Sequence, residues 1–551
     1  MDPIDTLQTR ADSIKGKRNA LLPFWQEIAE NFHPLRAQFT RQFYLSEQFT
    51  DVLLTSYPLL VARTLKDAFS SMLRPRDLDW FAMTVDHPER LDRTSKAWLQ
   101  WATGVQRRAM YDRRAQFTRA TKEGDGDFAA FGNAVLTKEV DVNTSTLLFR
   151  SWHLKDTVWA EGVDGSVGEI YRWWNPSGLD LKKRFPKTYS RNIEQWVDKD
   201  PHREVRCLHV VIPGEDYDRI PLQGSGDKLP KFRTPWASIY LDLENKCVLE
   251  ETASHSKIYT IPRWETVSGS PWAYSPAAVA GLPDGRLLQA MTMTLMEAGE
   301  MTVRPPMVAT QEVVKGDLAL YSGGVTWVDS EYDERLGEAL RPLVTTNGGI
   351  PIGMDMLKDA REMLAQAFYT NKLGLPPPAR EMTAYETGQR LQEWIRDAMP
   401  LFEPVEAEYN APLCEDVFEE LMRRNAFGPW SSIPQPLRRQ EVHFGFESPL
   451  HQATERKKGA LLLQAGQLIT QAAQLDPDCG AQVDAVTALR DALEGIGTPE
   501  TWIRDPAQAA QIVAARQQQQ QQALQTQQVA NAGQAAESMG RAVQSFQGAT
   551  A

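Results

Sequence analysis

Two hydrophobic patterns alternate along the chain. Between about residues 135 and 265, short runs of β-branched and aromatic residues are separated by Gly, Pro and Asp, which predicts an antiparallel, β-rich segment. Elsewhere apolar residues recur every three or four positions, which predicts amphipathic helices. We therefore expect an α+β fold that is mostly helical. The helices are predicted over 5–32, 56–73, 94–120, 283–301, 354–372, 383–399, 404–424, 450–475 and 481–495.

The stretch LPPPAREMTAYETGQRLQEW places a stiff elbow between two of these helices. Pro376, Pro377 and Pro378 favour polyproline II, which has no internal hydrogen bonds. Thr383 and Glu386 match a capping box, in which each side chain accepts a hydrogen bond from the other residue's amide and so fixes the helix start. The pattern fits a surface loop between packed helices, and it also fits a loop that faces a lumen or a partner.

The charge balance limits the classes of function. The chain has 551 residues, enough for two to four domains, and a formal net charge of −12. This argues against a protein that grips nucleic acid tightly, but not against one past which DNA slides. The four cysteines lack metal-ligand spacing, and no apolar run approaches the roughly 18 residues that span a bilayer. We expect free thiols, no metal, no membrane association and assembly in a cytosol.

Common catalytic motifs are missing from the sequence. It has no GxxxxGK[ST] phosphate cradle, no HExxH and no GxSxG, which argues against a P-loop ATPase and against an enzyme in general. Asp125 and Asp127 in EGDGDF faintly match a calcium loop, but the twelfth position is Leu136 rather than a carboxylate. We therefore expect no catalytic residues and no cofactor. A Mg²⁺-dependent nuclease that uses Asp125 and Asp127 remains an alternative.

Six blocks follow one another between residues 62 and 453: ARTLKDAFSSMLRPRDLDWF, DFAAFGNAVLTKE, SPWAYSPAAVAGLPDGRLLQ, RPPMVA, MTAYETGQRLQE and ESPLHQA. In this order they resemble the head-to-tail connector (portal) proteins of short-tailed bacteriophages. Each block is weakly specific by itself, and the six together are fairly specific. In the third block the family usually begins with Tyr-Gly, whereas this chain has Trp272-Ala273-Tyr274.

The resemblance implies a ring, typically of twelve subunits, at one vertex of the phage head. Its implied partners are further copies of the chain, double-stranded DNA that passes through the ring, the terminase packaging ATPase, tail adaptor proteins, and capsid and scaffolding proteins. The implied domains are a wing (1–280, β-rich over 135–265), a first stem helix (281–301), a clip (302–353), a second stem helix (354–372), a tunnel loop (373–382), returning wing elements (383–449), a helical crown (450–515) and a glutamine-rich tail (516–551).

Under this resemblance the elbow is the tunnel loop that faces DNA. Lys372 and Arg380 flank it and are candidates for transient phosphate contacts, although solvated ends that make local ion pairs fit equally well. Pro376, Pro377 and Pro378 would hold the loop in the channel, and Thr383 and Glu386 would restart the helix behind it. Three alternatives remain: another virion component such as a capsid or internal-core protein, the nuclease, and a cellular scaffold with a glutamine-rich tail.

Overall fold

The computed structural model forms two compact units. The larger comprises Met1–Ala82, Thr103–Pro429 and Phe444–Leu450, and the smaller comprises Met83–Ala102, Trp430–His443 and His451–Ala551. The larger unit contains the β-rich segment and the long central helices. The residues described within these ranges are 3–42, 53–76, 79–141, 146–217, 235–303, 305, 307–309, 340–342, 349–373, 384–446, 462–470, 484–495, 498, 502–504 and 508–523.

Helices form most of the regular structure outside the β-rich segment. Three π-helical turns, Phe69–Leu73, Ala277–Gly281 and Glu406–Asn410, are each continuous with an α-helix. The α-helices are α1 Pro3–Asn19, α2 Leu22–Phe32, α3 Tyr57–Ala68, α4 Arg93–Met110, α5 Phe117–Phe131, α6 Gly178–Arg184, α7 Arg191–Lys199, α8 Gly214–Tyr217, α9 Leu282–Val303, α10 Gly349–Ala367, α11 Ala384–Val405, α12 Ala411–Arg423, α13 462–470, α14 Ala485–Gly495 and α15 508–523.

The β-rich segment folds as predicted into antiparallel sheets. A five-stranded sheet has the order β4-β5-β6-β7-β8, and a three-stranded sheet has the order β3-β2-β9. Outside this segment, β10 pairs with β11. The sequence did not predict that α6 and α7 are inserted between β5 and β6. The strands are β1 Phe81–Thr84, β2 Val135–Val140, β3 Leu147–Trp152, β4 Thr157–Glu161, β5 Val167–Trp174, β6 Cys207–Pro213, β7 Trp236–Asp242, β8 Cys247–Ser254, β9 Tyr259–Thr260, β10 Met307–Ala309, β11 Leu340–Pro342 and β12 His443–Phe446.

Helix α1 covers one face of the five-stranded sheet. Leu7 and Ala11 are fully buried against strand residues that include Val158 and Val210. Complete burial of a leucine or valine side chain stabilises a fold by about 1.5–3 kcal/mol. The first helix of the chain is therefore part of the core of the β-rich segment.

Gly132 lies where the second and third family-like blocks meet. It caps α5 with a φ of 74°, and a Cβ atom there would lie 2.4 Å from the carbonyl carbon of Tyr274. The Asn133 side chain donates to the Ala273 carbonyl over 2.8 Å and accepts from the Ala273 amide over 3.0 Å. The segment Trp272-Ala273-Tyr274 is thus held against the end of α5 although it lacks the glycine usual in the family.

The helix predicted over 5–32 is wrong in one respect, because the structure has two helices there. Pro23 lacks an amide proton, and its ring would clash with the carbonyl four residues earlier. That residue is Asn19, where α1 ends. The helix predicted over 94–120 is also divided. It ends at Met110, and α5 begins at Phe117.

The separate helices predicted over 383–399 and 404–424 are instead one continuous helical path from α11 to α12. Pro400 and Pro404 lie inside α11, and the π-helical turn then carries the path into α12. An internal proline costs about 3 kcal/mol. Phe402 is 1% exposed and Val405 is 0% exposed, and their burial offsets much of this cost.

Helix α10 is shifted relative to its prediction over 354–372. It begins at Gly349 and places Pro351 in its first turn, where a proline is tolerated. It ends at Ala367, shortly before Tyr369 adopts a φ of 56°. Among the described residues, no helix combines the length and the apolar character needed to cross a membrane.

Candidate functional site

The end of α10 forms the root of the elbow. Phe368 is fully buried, and its ring centroid lies 5.1 Å from that of Phe32. The left-handed backbone of Tyr369 ends the helix, and its carbonyl accepts the amides of Lys372 over 2.8 Å and Leu373 over 3.1 Å. The chain therefore enters the elbow from a packed and hydrogen-bonded turn.

Helix α11 returns to the same root. The Trp394 indole Nε1–H donates to the Lys372 carbonyl over 2.9 Å, while the Lys372 side chain is exposed. Glu386 lies within α11. Its predicted capping box and the interior of the elbow are not tested, because Pro376, Pro377, Pro378, Arg380 and Thr383 lie outside the described residues.

Arg263 holds the far end of α11. Its guanidinium binds both oxygens of Glu408 in the π-helical turn, with Nε and Nη2 each 3.0 Å from a carboxylate oxygen. Its Nη1 donates to Glu161 over 3.2 Å, and its Nη2 also donates to the Gly165 carbonyl over 2.9 Å. The Arg263 side chain is 7% exposed and that of Glu408 is 34% exposed, so the arginine end of this two-point ion pair is shielded from water while the carboxylate is partly solvated. It joins the end of α11 to the turn between β4 and β5.

Arg74 holds the next residues of the same turn. It donates to the carboxylate of Asp125 on α5 and to the side-chain oxygen of Asn410 over 3.3 Å. Its guanidinium also lies over the ring of Tyr409, 4.6 Å from the centroid. Ser70 donates to the second Asp125 oxygen over 3.3 Å. Buried charges need such partners, and this cluster joins α3, α5 and the π-helical turn.

Asp127 faces a different arginine. Its side chain is 1% exposed and accepts from Arg36 Nε over 3.0 Å, with His33 Nε2 at 3.6 Å. Burial raises the pKa of Asp127 to about 6, although Arg36 favours the ionised form. Burial also lowers the pKa of His33 to about 3, so this imidazole is neutral near pH 7.

The structure contradicts the nuclease alternative. Asp125 and Asp127 are two positions apart on α5, so their side chains diverge by about 200° around the helix. Both are buried, and each is paired with its own arginine. Within the described residues, no group of three or more His, Cys, Asp or Glu side chains could hold a metal ion.

Helices α9 and α10 pack against each other and leave an apolar outer surface. Their approach is close, since a Cβ atom on Gly353 would lie 2.6 Å from a methyl group of Leu295. The sequence pattern predicted an apolar face on α10, but it could not show that part of this face would be left uncovered by the chain itself. Large apolar side chains that are 47–80% exposed are Leu287, Met293, Met296, Met301, Val303, Ile352, Met354, Met356 and Met363.

Sequence reasoning missed the residues that fix α11. Arg263 and Glu408 are 145 positions apart, and no local pattern indicates that they meet. Arg74 carried a weak signal, because it lies within the first family-like block just before Pro75. Asp125 was considered as a metal ligand, whereas its role in the structure is to neutralise Arg74.

The chain belongs to the bacteriophage head to tail connecting protein family, whose model matches residues 4–503. It is similar to the probable portal protein of Bordetella phage BPP-1, with 24% identity over 469 residues that cover 81% of this chain and 79% of the relative. Two solved structures are also similar, the virion of a native gene transfer agent particle and the neck of an empty gene transfer agent particle. Each has 10% identity and a TM-score of 0.37, and they cover 80% and 75% of this chain and 94% and 86% of their own.

Family membership settles the class of function. The chain is a structural component of the phage head-to-tail connection, of the portal type, and not an enzyme. Its place is in the virion, at the junction of head and tail. The portal-type resemblance noted in the sequence is thereby confirmed.

Proposed function

We propose that copies of this chain form a closed ring, of about twelve subunits, around a channel through which the genome enters and leaves the head. The observation that carries this proposal is the apolar outer surface of the α9–α10 pair. Soluble monomers rarely expose many large apolar side chains on adjacent helices, and such surfaces usually mark association sites. Neighbouring copies would remove this surface from water.

The arrangement of this surface favours a ring over a two-fold dimer. At about 100° per residue, Leu287 and Met301 lie on one flank of α9, and Met296 and Val303 lie on the opposite flank. A heterologous contact joins one face of a subunit to a different face of the next, so each subunit needs two faces. Apolar side chains on opposite flanks of one helix meet that requirement.

Within this ring we assign the elbow, 373–382, as the tunnel loop. The exposed Lys372 side chain at its root supports a contact with the DNA backbone, and Arg380 would supply a second cation. Few strong phosphate contacts suit a channel, because each one adds affinity and so resists sliding. The net charge of −12 is consistent with DNA that passes through without being held.

We further assign the remaining domains by the family arrangement. Residues 281–301 and 354–372, which lie largely in α9 and α10, would be the stem, 302–353 the clip and 450–515 the crown. Residues 1–280 and 383–449 would be wing, and 516–551 an appended tail. The clip would bind the terminase packaging ATPase and later the tail adaptors. Capsid and scaffolding proteins would contact the ring during assembly in the host cytoplasm.

Mass photometry and end-on negative-stain microscopy of the purified full-length protein test this proposal. Twelve copies of a 62.1-kDa chain give a particle of about 745 kDa, and the expected image is a ring with a hole wide enough for a duplex. A protein that stays monomeric or dimeric at micromolar concentration would refute the ring. Large closed particles without a central channel would favour another virion component, such as a capsid or internal-core protein.

A further inference from the structure

A group of basic side chains lies where α4 turns into α5, far in sequence from the elbow. Residues 107–122 contain six cationic side chains and one acidic one, in a chain whose net charge is −12. Local charge of this sign therefore stands out against an acidic protein. The six cations are Arg107, Arg108, Arg113, Arg114, Arg119 and Lys122.

The fold brings one further arginine to this group. The Arg107 guanidinium donates to the Arg76 carbonyl over 2.6 Å, which places the exposed Arg76 beside the end of α4. Two separate segments thus contribute cations to one surface.

The nearby described acids are already neutralised. Asp79 pairs with Arg107, Asp112 lies 3.5 Å from Arg114, and Glu123 lies 3.1 Å from Arg119. The remaining cations are exposed and form no ion pair with a described residue. These four, here called the basic corner, are Arg76, Arg108, Arg113 and Lys122.

We propose that the basic corner binds the sugar-phosphate backbone of double-stranded DNA. Arginine guanidinium groups match phosphate oxygens with two parallel hydrogen bonds, and three of the four side chains are arginines. The adjacent N-terminus of α5 adds partial positive charge, since Gln116 makes no side-chain cap and the first turn has no acidic residue.

The composition of the corner favours DNA over a protein partner. The cores of protein interfaces are enriched in large apolar and aromatic side chains, whereas contacts with nucleic-acid backbones are polar and positively charged. No large hydrophobic side chain of the described residues between 102 and 162 is strongly exposed. Binding at this corner should therefore be independent of sequence and steeply dependent on salt.

The test uses the full-length protein in whatever assembly it forms. Its binding to a fluorescent duplex of about 30 base pairs is measured by fluorescence anisotropy at salt concentrations between about 50 and 200 mM. The triple variant Arg108→Gln, Arg113→Gln and Lys122→Gln should bind more weakly. The slope of log affinity against log salt is negative, and it should become shallower by about 0.9 for each phosphate that is no longer neutralised. The three changes should therefore make it shallower by about 2.7 in total. Each single change should account for about a third of this decrease, which keeps the test valid if the triple variant folds poorly.

A matched variant controls for the loss of net charge. Lys183→Gln, Lys187→Gln and Arg191→Gln remove the same number of exposed cations from the α6–α7 segment and should leave both affinity and slope near the wild-type values. Equal weakening in both variants would show a general charge effect and overturn the proposal. So would wild-type binding by the triple variant, or a loss of subunit assembly with DNA binding unchanged, which would identify the corner as a contact between subunits.

Discussion

The apolar stripe on α10 offers a quantitative test of subunit contact. Ile352, Met356 and Met363 lie within about 40° of one another around the helix, at 63%, 56% and 52% exposure. Full burial of such a side chain contributes about 1.5–3 kcal/mol, so covering the exposed half contributes about 1–1.5 kcal/mol each. Three residues then contribute about 3–4.5 kcal/mol to each contact, which corresponds to at least a hundredfold in affinity.

The triple variant Ile352→Gln, Met356→Gln and Met363→Gln removes this contribution while keeping side chains that favour a helix. We expect its assembly midpoint, measured by mass photometry over a concentration series, to rise by about a hundredfold or more. The fold should be retained, because these side chains are largely exposed within one subunit. Circular dichroism and thermal melting would check this.

Surface hydrophobicity itself needs a separate control. Leu35, Val163 and Val267 are 69%, 111% and 52% exposed but lie outside α9 and α10. Changing these three residues to Gln should leave the assembly midpoint within about threefold of the wild type, because surface changes away from contacts usually have small effects. If the α10 variant assembles like the wild type, or if the control variant fails equally, then the apolar stripe is not a subunit contact.

Three further changes probe the elbow, the anchor of α11 and the imidazole of His153. Deletion of Pro376–Pro378 should leave rings intact but reduce DNA packaging or retention in particles, and loss of rings would instead make the elbow a structural joint. Glu408→Gln should lower the free energy of unfolding, measured by denaturant titration, by about 2 kcal/mol, since it leaves the buried Arg263 guanidinium half-paired. Glu403→Gln alters an exposed carboxylate of the same continuous helical path and should change the free energy of unfolding by less than about 0.5 kcal/mol. Burial lowers the pKa of His153 to about 4, so the fold favours the neutral imidazole. Protonation of this residue therefore does not reduce the free energy of unfolding above pH 6.5, the ordinary pKa of histidine. It reduces that free energy progressively as the pH falls from 6.5 towards 4. Between pH 7.5 and 5.5 the wild type should therefore lose about 1.4 kcal/mol more than His153→Gln, and equal pH dependence of the two proteins would contradict this.

Local chemistry explains which elements the sequence could predict. The strands of the β-rich segment depend on neighbours within a few residues, and the structure confirms that they form antiparallel sheets. Pro23 carried a readable signal, because a proline there removes the hydrogen bond to the Asn19 carbonyl and disfavours a helix that continues past this residue. The continuous path through Pro400 and Pro404 was not readable, since it depends on tertiary burial of the residues around the prolines.

The candidate site shows a different limit. Periodicity reports that Met356 and Met363 share an apolar face, but the same pattern describes a face covered by the chain's own core and one left for a neighbour. Likewise, Arg74 and Asp125 would ordinarily be assigned to the surface, because charged residues are rarely buried unless paired. Which charged residues find a buried partner is decided by contacts between segments distant in sequence, and these are visible in the structure alone.

The two arginines at the end of α11 bear on how an elbow in a channel could affect the rest of a subunit. The middle of this helix is tied to the elbow's root through Trp394 and Lys372, and the π-helical turn that follows it is fixed by Arg263 and Arg74. Displacement of the elbow would therefore pass along α11 to buried ion pairs rather than be absorbed in a loose loop. The internal prolines are where this path lacks backbone hydrogen bonds, so bending should concentrate there. Movement of the elbow would thus reach the β-rich segment only to the extent that α11 resists bending at these prolines.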